Sequence, residues 1–240
     1  MSVLYDLLKE ILDRKMYERT DDFDPTVFYP SEVGQCLRKL FLKRIFIENK
    51  GYIQFSERTA KQFIVGEAIH RALEDYVKNE YSQKKIETEK QISYKFLDLK
   101  INGIIDIINH TDKEIIEIKT TSRFYQNDTI KHLETLYKRQ LNMYLHEYPN
   151  YNGYILIIDR VKGEFTEIQH NYDPDMFLMD IELFRKVYKA YKHYVESNRD
   201  PRVAYKEIYS LPVSPRVFEC RNCPFYEYCL IACNYASSSP

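Results

Sequence analysis

The stretch NGIIDIINHTDKEIIEIKTTS, residues 102–122, decides the fold. It is rich in isoleucine on both sides of Asn109, His110, Thr111 and Asp112. β-Branched side chains suit a pleated strand and Asn or Asp suits a turn, so the stretch reads as a hairpin with its loop at 110–113. Side chains alternate faces along a strand, which puts Glu117 and Lys119 on one face with Ile115, and Asp106 on a face with Ile104 and Ile108. The same register sets Asp106 opposite Glu117. Two carboxylates facing each other across a ladder repel unless something positive sits between them, and the candidates are a divalent cation and the Lys119 ammonium.

Outward from the hairpin, apolar spacing predicts helices over 1–18, about 31–48 and 59–82, then a strand around 86–97. After the hairpin come a helix ending near HEY, strands at GYILIID and EFTEIQHNY, and a long helix over about 175–197 that opens after Pro174. Beyond it a proline-punctuated segment leads to the cysteines. Helices and strands in this order fit an α/β (mixed α+β) fold with a central sheet flanked by helices. At 240 residues and 44% hydrophobic composition the chain can bury a core, and a single domain is expected. Its parts are an N-terminal helical segment (1–58), a core (59–172) and a C-terminal helix with the cysteine cluster (173–240).

In the helix at 59–82, Phe63, Gly66, His70, Leu73 and Val77 form one stripe, so His70 points inward, with Gly66 one turn before it clearing space for an ion or a strand. A lone inward histidine is more often a core residue than a ligand; the hairpin acids shift that balance. In the later helix Leu133, Tyr137, Gln140, Tyr144 and Glu147 share a face, and Gln140 and Tyr144 should meet the sheet. Asp106, Glu117, the Ile118 carbonyl and His70 offer the oxygen and imidazole mixture that suits Mg²⁺ or Mn²⁺. Such an ion activates water and neutralises a phosphodiester, while Lys119 orients or deprotonates that water and stabilises the transition state.

Four motifs carry a resemblance: GEAIH (66–70), GIID (103–106), EIK (117–119) and QLNMY (140–144) occur in the order found in RecB-type nucleases. The chain resembles the PD-(D/E)xK superfamily, whose restriction-endonuclease-like core is a mixed sheet with flanking helices. The resemblance implies an active site of His70, Asp106, Glu117 and Lys119, supported by Gln140 and Tyr144. Ile105 stands where the motif name has proline, a position loosely kept in such nucleases.

Five cysteines make an odd set, four of them near the end of the chain, which suits metal ligation in a reducing compartment better than disulfides. Cys220, Cys223 and Cys229 form a tight triplet, with Cys36 far upstream. Four thiolates can ligate Zn²⁺ or an iron–sulfur cluster; a lone cysteine plus a triplet fits a cluster clasping two distant segments. This arrangement resembles the AddB-type nucleases and, more closely, the stand-alone CRISPR-associated RecB-like exonucleases, over about residues 31–235. The resemblance implies a [4Fe-4S] clasp joining the N- and C-terminal helical segments, with Cys233 a spare buried thiol. It also implies a 5′-to-3′ single-stranded DNA exonuclease, with endonuclease activity open, that trims DNA for spacer acquisition beside CRISPR integrase subunits. Alternatives are a catalytically silent scaffold of such a complex and a virus-encoded recombination or replication nuclease.

The net charge of −1 excludes a global nucleic-acid-binding excess, so DNA would need a local patch, for which Arg38, Lys39, Lys43, Arg44 and Arg123 are the candidates; a solvated helix face is an equal reading of CLRKLFLKR. No stretch has signal-peptide or membrane-span character, so a soluble cytoplasmic protein is expected, with homo-oligomerisation open.

Overall fold

The computed structural model describes residues 3–19, 23–81, 85–121, 127–212, 220 and 223–238. The first half runs α1 (Val3–Met16), β1 (Tyr17–Arg19), β2 (Val27–Phe28), a 3-10 turn (Pro30–Glu32), α2 (Leu37–Glu48), β3 (Tyr52–Gln54) and α3 (Glu57–Glu80). It continues with β4 (Ile86–Phe96), β5 (Leu99–Asn109), β6 (Glu114–Thr121), α4 (Asn127–Leu145), β7 (Asn152–Asp159), β8 (Phe165–His170), α5 (Pro174–Glu196), α6 (Pro201–Ser210) and α7 (Tyr226–Ser238). The helix expected from residue 31 starts at Leu37, because Gly34 takes φ +72°, a left-handed conformation that interrupts a helix. α6 occupies the proline-punctuated segment that read only as a connection, and α7 carries Cys229 and Cys233 beyond it. Asp200 followed by Pro201 caps α6 as Asp173 followed by Pro174 caps α5, so that start signal was present twice.

The hairpin loop spans 110–113, and the Asn109 carboxamide oxygen accepts from the amides of Thr111 (3.1 Å) and Asp112 (3.2 Å), which closes the turn locally. β5 is the hub of a six-stranded mixed sheet. β4 pairs antiparallel along one edge; the other edge is shared by β6, antiparallel at residues 107–109, and β2, parallel at residues 100–101. Between those two partners, residues 102–106 have no backbone neighbour on that edge among the described residues. β6 continues parallel to β7, and α4 makes the crossover such a pair requires.

The alternation along β5 breaks at Asp106, which corrects the shared face expected for Ile104, Asp106 and Ile108. Ile105 and Ile108, three residues apart, are buried in the same cluster beneath α4, Ile107 faces the opposite cluster, and Ile104 is 51% exposed. The β4–β5 register is continuous except at Glu89 opposite Asp106, and Glu89 takes φ +49°. Both strands thus deform at one point, and the site is built there.

The sheet separates two small cores. α4 covers Ile105, Ile108, Ile115, Ile155 and Ile157, and α3 covers Ile107, Ile118 and Ile158 with Ile69, Leu73 and Val77. Phe63, expected on that inward stripe, is 47% exposed and packs edge-on to Phe55. Gly66 serves strand approach: a Cβ there would lie 3.3 Å from Thr120 Oγ1. A third, larger core joins α2, α5, α6 and α7 to β2 and the start of β5.

Candidate active site

Where β5 parts from β6, a side chain replaces the ladder: Asp106 Oδ2 accepts the Ile118 amide at 2.7 Å. Extending the register of Ile107 with Ile116 puts Asp106 opposite Glu117, as the sequence predicts. Strand alternation sends Glu117 and Lys119 toward α4. There Glu117 Oε1 accepts from Lys119 Nζ (2.5 Å) and Gln140 Nε2 (2.6 Å), and Gln140 also donates to the Tyr144 hydroxyl (3.2 Å). Lys119 Nζ lies 5.4 Å from the centre of the Tyr137 ring, a cation–π contact on its second side. From α3, His70 Nδ1 stands 3.9 Å from Asp106 Oδ2. Asp106, Glu117, Lys119, Gln140, Tyr144 and His70 therefore line one cleft of about 720 Å³.

Glu74 escaped the sequence reading. It follows His70 by one helical turn, is 4% exposed, and offers an oxygen that lies, with His70 and Asp106 ligand atoms, in a group all within 4.8 Å of one another. The signal was its i,i+4 spacing from His70. On the opposite side the cleft wall is uncharged, made by Tyr29, Pro30, Gln91, Ser93 and Asn102.

The electrostatics of the cleft are those of concentrated negative charge in a low-dielectric surrounding. Burial pushes the Glu117 carboxyl up to about 7, and Asp106 adds to that against the opposing Lys119. Burial likewise raises Asp106, and burial together with Glu89 and Asp106 raises Glu74 to about 6. Burial also opposes the Lys119 charge, yet Glu117 and Asp106 hold its pKa above the ordinary lysine value. His70 is shifted down, chiefly by burial. Glu117 is 2% exposed and its Oε2 has no hydrogen-bond partner among the described residues. A buried carboxylate oxygen left without a donor is expensive, and a cation beside it would remove the penalty. Carboxylates plus one imidazole are a fitting donor set for Mg²⁺ or Mn²⁺.

The expected basic patch does not assemble at this cleft. Arg44 is 1% exposed; it donates to Leu40 O, Val27 O and Glu32 Oε2 and stacks 3.7 Å from the Phe28 ring centre. Burial opposes the Glu32 charge, but Arg44 and Lys43 hold that carboxyl below its usual range, and Lys43 donates to it at 3.0 Å. Glu32 in turn accepts the Tyr29 amide at 3.2 Å and so fixes the Tyr29–Pro30 wall of the cleft. Arg38 donates to Leu211 O (2.7 Å), Tyr209 O (3.1 Å) and Cys233 Sγ (3.0 Å), tying α2 to the C-terminal helices. Neither arginine is available to a nucleic acid, because each guanidinium is spent on protein acceptors. Lys39 is half-buried and acts electrostatically on Cys223. Arg123 lies outside the described residues.

The same tie gathers the cysteines. Cys36 stands at the N-cap of α2; its thiol and that of Cys220 bear on Cys223, and Cys36 and Cys233 bear on Cys229. Burial raises the Cys223 and Cys229 thiols, while Lys39 beside the first and Arg38 beside the second act in the opposite direction. Cationic neighbours favour the thiolate, the form that ligates metal. Cys233 is half-buried, stands one helical turn from Cys229 and accepts from Arg38.

No known family model matches the chain, and no curated protein is significantly similar to it. Among solved structures, the crystal structure of SSO0001 is similar over 94% of this chain and 95% of that one, at 19% identity and a TM-score of 0.59. That likeness establishes a shared fold. An alkaline exonuclease (LHK-Exo) from Laribacter hongkongensis matches at 13% identity and a TM-score of 0.45, over 80% of this chain and 94% of that one. A phage-related exonuclease from Haemophilus somnus 129PT matches at 14% identity and a TM-score of 0.38, over 54% and 71%. No helix among the described residues is long and apolar enough to cross a membrane.

Proposed function

We propose that the chain is a metal-dependent nuclease that hydrolyses DNA phosphodiester bonds. The observation that carries this reading is the buried, unpartnered Glu117 Oε2 in a cleft shared with Asp106, His70 and Lys119. Asp106, Glu117, His70 and the Ile118 carbonyl would hold Mg²⁺ or Mn²⁺, which when bound supplies charge neutralisation at the phosphate and a more acidic water. Lys119, held as an ammonium by Glu117, donates to a water or phosphate oxygen and stabilises charge in the pentavalent transition state. Gln140 fixes Glu117, and Tyr144 fixes Gln140. In the reaction a water oxygen bonds to phosphorus and a bridging P–O bond breaks, leaving a phosphate monoester and a hydroxyl.

The finer reading rests on the motifs and the cysteine arrangement. It is a 5′-to-3′ exonuclease on single strands or ends, with a [4Fe-4S] cluster held by Cys36, Cys220, Cys223 and Cys229, acting in spacer acquisition with CRISPR integrase subunits. The test is a time course on end-labelled linear single-stranded, linear duplex and circular single-stranded DNA, with Mg²⁺, Mn²⁺ or EDTA. Cleavage should require the cation and be abolished in Asp106→Ala and Lys119→Ala. Wild-type rates in either variant would refute the site. Rapid cutting of the circle would make it an endonuclease.

A further inference from the structure

A second cleft, of about 500 Å³, lies at the other end of α3 and is lined by Glu57, Arg58, Lys61, Gln62, Val65 and Arg160. Three cations against one anion give it a net positive charge, in a chain whose total is −1. Lys61 holds Glu57 at 2.5 Å, so the one acid is already engaged. The Arg58 and Arg160 guanidiniums have no partner among the described residues, and Arg160 Nε is buried without one. A cleft-lining guanidinium that no protein acceptor neutralises keeps its charge for an incoming anion, since an unmade hydrogen bond costs free energy.

The two clefts are joined by the same elements. α3 carries both Arg58 and His70, twelve residues apart, or about 18 Å along the helix axis. β6 carries Glu117 and Lys119 and ends at Thr121, whose carbonyl accepts the Arg160 amide at 2.8 Å. The helix and the strand touch between the clefts at Gly66 and Thr120. A phosphodiester chain stacked at about 3.4 Å per nucleotide covers that span in roughly five nucleotides, and an extended one in fewer.

We propose that this cleft is a distal phosphate-binding subsite for a single nucleic-acid strand, with Arg58 and Arg160 each taking a backbone phosphate about three to five nucleotides from the scissile bond. The assignment rests on the nuclease reading for its direction and not for its charge chemistry. It gives the strand a polarity across the protein: phosphates run over the cationic end of α3, and the nucleoside beyond the reacting phosphate meets the uncharged wall of Gln91, Ser93 and Asn102.

The experiment is fluorescence anisotropy of a labelled single-stranded oligonucleotide binding to the full chain in EDTA, over a series of salt concentrations. Each lost phosphate contact on a single strand lowers the slope of log K against log salt by about 0.7, so Arg58→Gln/Arg160→Gln should reduce it by about 1.4. Arg160→Lys should keep the slope, because the charge remains. The remote pair Lys186→Gln/Lys189→Gln should leave it unchanged, and circular dichroism with a melting curve confirms that each variant is folded. A wild-type slope in the double arginine variant, or no DNA binding by the wild type, overturns the subsite. Cleavage assays on the same proteins separate the two readings. DNA cutting with an unchanged slope retains the nuclease and removes the subsite. A reduced slope in a protein that cuts no DNA with Mg²⁺ or Mn²⁺ retains the subsite and removes the nuclease.

Discussion

Replacing Glu117 by glutamine should make the metal-free protein more stable as the pH rises, and the size of the effect follows from the carboxyl's environment. Glu117 has an ordinary value of 4.5 and is pushed up to about 7 by burial and Asp106. In the folded protein it keeps its proton until about pH 7, whereas in the unfolded chain it has lost it above about 4.5. Between those values the native state binds more protons, so wild-type stability is highest below the lower value and falls as pH rises toward the upper one. At 1.36 kcal/mol per pKa unit the full penalty is roughly 3 kcal/mol, of which about 2.5 kcal/mol develops between about pH 5 and 8. Glutamine does not titrate. Its carboxamide oxygen still accepts from Lys119 and Gln140, and its other costs, such as an unpaired amide hydrogen, are the same at every pH.

The melting temperature of Glu117→Gln minus that of wild type, in EDTA, should therefore rise by roughly 5–10 °C between about pH 5 and 8, at about 2–4 °C per kcal/mol for a domain of this size. Adding Mg²⁺ or Mn²⁺ at pH 8 should then raise the wild type and leave the variant unmoved, because a ligand stabilises only the state that binds it. A difference that is flat with pH, or equal stabilisation of both proteins by the cation, would refute the reasoning. The outcome also bears on the silent-scaffold alternative, which would keep a destabilising buried acid that no ion ever relieves.

Glu74→Gln should weaken apparent Mn²⁺ affinity by about 10–100-fold while cleavage recovers at high Mn²⁺, as read from metal titrations of the rate, because its oxygen neighbours His70 and Asp106. Arg44→Met should lower stability by about 3–5 kcal/mol by taking from the buried Glu32 carboxylate its buried partner and leaving it only the half-buried Lys43, and Arg44→Met/Glu32→Leu should recover most of it in denaturant melts. Cys36→Ser, Cys220→Ser, Cys223→Ser and Cys229→Ser should each give colourless protein lacking iron and acid-labile sulfide. Cys233→Ser should stay brown, since the hydroxyl still accepts from Arg38. Colourless, active wild type with stoichiometric zinc would replace the cluster by zinc.

The hairpin was legible because its signals are local. β-Branched runs, an Asn turn and a two-residue alternation fixed the loop at 110–113 and brought Asp106 across from Glu117. The helix faces of Gln140 and Tyr144 were legible for the same reason: burial of one stripe is a property of the segment itself. The break at Asp106 was not, because it takes two strands. Glu89 in β4 deforms opposite it, and β6 leaves the ladder to β2 just beyond, so the displaced carboxylate finds the Ile118 amide. Periodicity within one strand contains none of this.

The cations show the same limit from the other side. In CLRKLFLKR the charges sit close in sequence, yet Arg44 shares a helical face with Leu40 and Ile47 and is drawn into the core by Glu32 and Phe28, both upstream of the helix. Arg38 is claimed by carbonyls that lie far downstream. A positive charge that has protein acceptors on every side contributes little field outside, whatever its neighbours in the chain. Arg58 and Arg160 are far apart in sequence and carry no signal there, but the parallel pairing of β6 and β7 carries Arg160 to the end of α3, where neither has a partner among the described residues. Net charge near zero therefore does not argue against a nucleic-acid strand. What matters to a phosphate is how many cations are left unpaired along one path, and folding sets that number.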